Sequence, residues 1–60
     1  MYIGDIVRVK KSWESCYPEI AGVVGVVIDV IQLRNGKRIR WMHGYKIENM
    51  PPDVLEVLCV

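Results

Sequence analysis

Few side chains in this sequence could do covalent or metal chemistry. There is one histidine, His43, and two serines, Ser12 and Ser15, and no catalytic motif surrounds them. No carboxylate pair and no nucleophile beside a base can be picked out, and no Cys or His recurs at metal-ligand spacing. The residues therefore predict a protein that is not an enzyme and needs no cofactor or metal. Cys16 and Cys59 are too few for a disulfide scaffold. They read as reduced thiols packed as small apolar groups, with a single disulfide as the alternative. Neither has a flanking cation that would activate it.

What remains is the chemistry of binding. The net charge is only +1, yet all eight cations fall within Arg8 to Lys11 and Arg34 to Lys46, and the seven acids lie elsewhere. If the first strand runs near the basic hairpin, Arg8, Lys10, Arg38 and Arg40 form one face able to contact phosphates, extended by Arg34 and Lys37. The same pattern also fits ordinary solvated strand faces, and the near-zero net charge weighs against a nucleic-acid binder. The aromatic residues offer a second surface. Trp13 and Tyr17 lie in an aperiodic loop, where they either cap the core or anchor a protein interface, and where they could also stack on bases.

These groups are positioned by strands. From Ile3 to Lys11 apolar and polar residues alternate, with Val7 and Val9 on one face and Ile6, Arg8 and Lys10 on the other. Ser12 to Gly22 has no period and contains Pro18, so it is expected to be a long loop. Val23 to Leu33 is crowded with β-branched residues suited to a pleated sheet, and Gly25 within it marks either a bulge or a close backbone approach. Asn35-Gly36 predicts a type I′ hairpin turn. In that register Arg34 lies opposite Lys37, Val30 opposite Trp41 and Ile28 opposite His43, with Trp41 in the core. Leu33, Ile31 and Met42 fall on the other, partly exposed side. Tyr45 to Glu48 makes a short strand, Pro51-Pro52-Asp53 a tight turn, and Leu55 to Val60 the last strand.

With 60 residues, 6.9 kDa, 52% hydrophobic residues and a mean hydropathy of +0.19, the chain is expected to be one domain over 1–60. Five short strands are most stably arranged as an all-β, strongly bent barrel, because closure removes exposed sheet edges. The longest apolar stretch, Ile20 to Ile28, is far short of the roughly 20 residues that cross a bilayer. No secretory signal is recognisable, so a cytoplasmic setting is expected.

The string Gly4-Asp5-x-Val7-x-Val9, followed by Gly22-x-x-Gly25-x-Val27-x-x-Val30, resembles the KOW-type motif of small SH3-like barrels. The tail Met50-Pro51-Pro52-Asp53-Val54-Leu55-Glu56-Val57-Leu58 looks like their closing turn and last strand. In layout the chain is similar to stand-alone barrels, namely the small peripheral subunit that docks on photosystem I and short barrels encoded by tailed phages. The resemblance implies a five-stranded SH3-like (KOW-like) barrel and, for a phage protein, a place in the host cytoplasm or the virion. The acidic loop and paired tryptophans of proline-peptide-binding SH3 domains are missing, so no polyproline ligand is expected.

Taken together, these features predict a non-enzymatic protein-interaction or assembly module within a larger complex. It would dock on another protein or its own copies through Trp13, Tyr17, Ile31, Leu33 and Met42. The alternative is a KOW-like module binding RNA or DNA through Arg8, Lys10, Arg34, Lys37, Arg38 and Arg40. Neither reading involves a membrane or a metal.

Overall fold

The computed structural model describes residues 1–59. Five strands account for most of it: β1 (Ile6–Val9), β2 (Val24–Leu33), β3 (Gly36–His43), β4 (Lys46–Met50) and β5 (Leu55–Cys59). Single 3-10 turns occupy Lys11–Trp13 and Pro52–Val54, and no α-helix occurs among the described residues. The protein is all-β. Its strands form one antiparallel sheet in the order β4-β3-β2-β1-β5, and no ladder joins β4 to β5 among the described residues. Val60, assigned from sequence to the last strand, lies outside the described residues, as does the side chain of Cys59.

The β2–β3 hairpin forms where Asn35-Gly36 places it, but in a different register. Leu33 pairs with Gly36, Gln32 with Lys37, Ile31 with Arg38 and Val30 with Ile39, two residues away from the expected pairing. The reason lies in the turn. A type I′ turn needs positive φ at both central residues, and among the described residues the only ones with positive φ are glycines, Gly36 among them at +147°. Arg34 and Asn35 therefore make the turn at negative φ and Gly36 opens β3. Because the slip is two residues, each side chain keeps its face.

A bulge then changes the faces along β2. Val27 pairs with Trp41 and Asp29 with Arg40, which leaves Ile28 as the extra residue. The expected pairing of Ile28 with His43 is thereby replaced. Past the bulge Val27, rather than Ile28, points to the core, opposite the fully buried Trp41. Gly25 is not the bulge but the close approach. A Cβ there would overlap the Trp41 ring and come within 2.5 Å of the Met42 carbonyl oxygen.

The buried set is Val7, Val9, Ile20, Val27, Ile39, Trp41, Met50, Val54 and Leu55. Each fully buried aliphatic side chain contributes about 1.5–3 kcal/mol relative to leaving it in water. The long loop supplies Ile20 to this core, and Tyr17 and Val23 pack against it. Loop residues thus close one end of the core. The other connection is made at Pro52–Val54, where Val54 is buried and its carbonyl oxygen accepts a hydrogen bond from the Lys10 N–H at 2.8 Å.

Candidate interaction surface

The inner face of the sheet is consumed by the core, so the outer face is the surface left for partners. Alternation along each strand decides what that face carries. On β1, Val7 and Val9 point inward and leave Ile6 and Arg8 outside; on β3, Ile39 and Trp41 point inward and leave Arg38, Arg40 and Met42 outside. The ladders then align one apolar residue from each of four strands. Ile47 of β4 lies opposite Met42, Met42 opposite Val26, and Val26 opposite Ile6. Ile47 is 50% exposed, Met42 39% and Ile6 37%, and Val24 beside the row is 51% exposed.

Charged groups flank this row. On one side Arg8 Nε donates to Glu56 Oε1 at 2.6 Å, a half-exposed pair across β1 and β5. On the other, Asp29 lies opposite Arg40, and the Asp29 Oδ1 accepts a hydrogen bond from the Val30 N–H at 2.8 Å.

Of the residues singled out for protein contact, Ile31, Leu33 and Met42 share the outer face of β2 and β3. Trp13 is 39% exposed at the end of its 3-10 turn, whereas Tyr17 packs against the core. The two aromatic residues therefore differ in setting, Trp13 exposed and Tyr17 partly buried. Cys16 is a free, exposed thiol, which corrects the expectation that it is a buried packing group.

Arg8, Arg38 and Arg40 share the outer face but lie at separate places along it. Arg8 lies opposite Val24 at the start of β2, while Arg40 lies opposite Asp29 and Arg38 opposite Ile31. Five to seven residue steps of β2 separate these positions, roughly 16–23 Å at about 3.3 Å per residue. Arg34, Lys37 and Arg38 cluster at the exposed hairpin instead, and Lys10 is half-buried beyond the end of β1.

His43 sits at the opposite end of β3. Its Nε2 is 3.1 Å from Glu48 Oε2 and its ring packs 4.9 Å from that of Trp41. A shallow cavity of about 330 Å³ beside it is lined by Glu19, Ile20, Val23, Tyr45 and Lys46 among others. None of these lining groups is a serine or cysteine nucleophile that the histidine could activate.

Sequence reasoning missed Val26 and Ile47 as surface groups. Their outward direction depends on the Ile28 bulge and on β3–β4 register, neither of which has a local marker. Ile6 was legible, because it alternates with the buried Val7. No family model, curated protein or solved structure matches the chain.

Proposed function

We propose that the chain is a small SH3-like, KOW-like barrel that serves as a non-enzymatic protein-interaction or assembly module in the cytoplasm. The strand order, a β2 long enough to pair with both β1 and β3, and the 3-10 turn leading into β5 support the barrel reading. The observation that carries the function is the row Ile6, Val26, Met42 and Ile47 across four strands, in which Ile6, Met42 and Ile47 are exposed and Val26 is half-buried. Apolar side chains aligned on one face with polar groups at their margins suit a protein partner. Leu33 and Ile31 extend that face toward the hairpin.

A photo-cross-linking amino acid placed at Met42 tests this in the protein's own cell. Covalent protein adducts are expected at position 42 and not at Asn35 on the hairpin tip. Absence of any adduct at 42 would remove the reading.

A second reading rests on a separate observation: Arg34, Lys37, Arg38 and Arg40 form no ion pair among the described residues. Cations free of carboxylate partners at one end of the molecule suit phosphate contacts of RNA or DNA. Fluorescence anisotropy of labelled mixed-sequence RNA and DNA should then show binding that weakens steeply with salt, and Arg38→Ala with Arg40→Ala should flatten that dependence. No binding at low salt would eliminate it.

A further inference from the structure

We infer that the free edge of β4 pairs with the β4 edge of a second copy of this chain, antiparallel and about a two-fold axis at Ile47. β4 stands at the end of the strand order and has β3 on one side only. The turn that leads into it fixes which of its backbone groups are free. Gly44 has φ +60° and Tyr45 has no positive φ, as a two-residue type II′ turn requires, and His43 lies opposite Lys46 at its base. The pair flanking such a turn exchanges both of its hydrogen bonds, and bonded and non-bonded pairs then alternate along the ladder. Lys46, Glu48 and Met50 thus bond to β3, while Ile47 and Asn49 turn their N–H and C=O outward. No loop, turn or side-chain hydrogen bond reaches Ile47 or Asn49 among the described residues, and both are exposed. An edge of this kind is a template for another strand.

The residues of the edge select the strand that fits. About an axis at Ile47, the two Ile47 residues form a hydrogen-bonded pair, and Lys46 of each copy lies opposite Glu48 of the other. Both charge pairs fall at non-bonded positions, where facing side chains are closest. Neighbouring registers fail. Centring on Lys46 or on Glu48 sets like charges directly opposite, and centring on Asn49 sets Ile47 against Pro51, which has no N–H to donate. The strand at the other end of the sheet, β5, carries Glu56 and no cation, so it has no such self-match. The Glu48 carboxylate has room for the incoming lysine. Its Oε2 is engaged by His43 Nε2, and with Glu19 and Ile20 it lines a cavity of about 280 Å³. The pairing also sets Ile47 beside Ile47 on the outer face, so that the apolar rows of the two copies run end to end. The edge does not need that face to dock anything else.

Sedimentation equilibrium of the full chain from micromolar to millimolar concentration should show reversible monomer–dimer exchange. Lys46→Glu and Glu48→Lys each turn both charge pairs into like-charge pairs, and each should weaken the dimer by about tenfold or more with the circular dichroism spectrum unchanged. An equal mixture of the two variants restores opposite charges at both positions and should associate more tightly than either variant alone. Should either variant unfold, amide hydrogen exchange of the wild-type chain provides a second measurement. The Ile47 and Asn49 amides should exchange more slowly as protein concentration rises, and the Asn35 amide should not change. A wild-type chain that stays monomeric at millimolar concentration would overturn the pairing, as would a dimer that keeps its affinity in both charge variants. Exchange at Ile47 and Asn49 that is independent of concentration would overturn it too. A monomer whose position 42 still cross-links to a different protein in the cell would overturn the edge pairing and leave the outer-face reading standing. A dimer sensitive to both charge variants, with no adduct at position 42, would uphold the edge and remove the face.

Discussion

Gly25 and Trp41 share one small volume, and that crowding makes both positions intolerant of change. The space where a Gly25 side chain would go is filled by the Trp41 ring and the Met42 carbonyl. Gly25→Ala is therefore expected to destabilise the fold by about 1–3 kcal/mol or more, read as a lower urea midpoint, since the obstacle includes backbone. Trp41 itself is fully buried, and its Nε1–H has no acceptor among the described protein groups. An unsatisfied buried donor costs about 1–3 kcal/mol. Trp41→Phe, which keeps a ring and removes that donor, should cost well under the roughly 3–5 kcal/mol of Trp41→Ala. Urea unfolding followed by far-ultraviolet circular dichroism would compare the two. A Phe variant as unstable as the Ala variant would show that the indole nitrogen is satisfied in solution. At this scale the sequence was informative about Gly25, because a glycine within a β-branched run marks a bulge or a close backbone approach.

The hairpin and the bulge are decided at the scale of the element. Asn35 turns at negative φ and Gly36 carries the positive φ, so the two residues of the turn signal have unequal weight. Asn35→Ala should change stability by no more than about 0.5 kcal/mol. Gly36→Ala should cost about 1 kcal/mol or more, because an alanine there is forced into a conformation that its Cβ disfavours. Thermal unfolding of the pair checks the register directly, since a type I′ turn would make both substitutions costly. The Asn-Gly signal located this hairpin correctly. The choice between pairings two residues apart was not legible there, because both keep every side chain on its own face. Ile28 was less legible still, since a bulged isoleucine looks like any other strand residue.

At the scale of the whole molecule, a core drawn from β1, β2, β3, β4, β5, the long loop and the turn before β5 leaves little redundancy. Leu55, 1% exposed and opposite Val9 where β5 meets β1, is one of its largest members. Leu55→Ala should cost about 2–5 kcal/mol, a large share of the roughly 5–15 kcal/mol typical of a domain. Calorimetry should show the variant melting far below the wild type, and an unshifted transition would place Leu55 outside the cooperative unit. The sequence by itself determined the all-β class, the five strands, and the burial of Val7, Val9 and Trp41. Alternation, β-branching and turn residues are local properties, and each acts over a few neighbouring residues. Only the tertiary structure decided that Ile6, Val26, Met42 and Ile47 align in one row, and that Arg8 stands apart from Arg38 and Arg40. Those placements depend on pairings between distant segments and on the extra residue at Ile28, which shifts every β2 position before it to the opposite face.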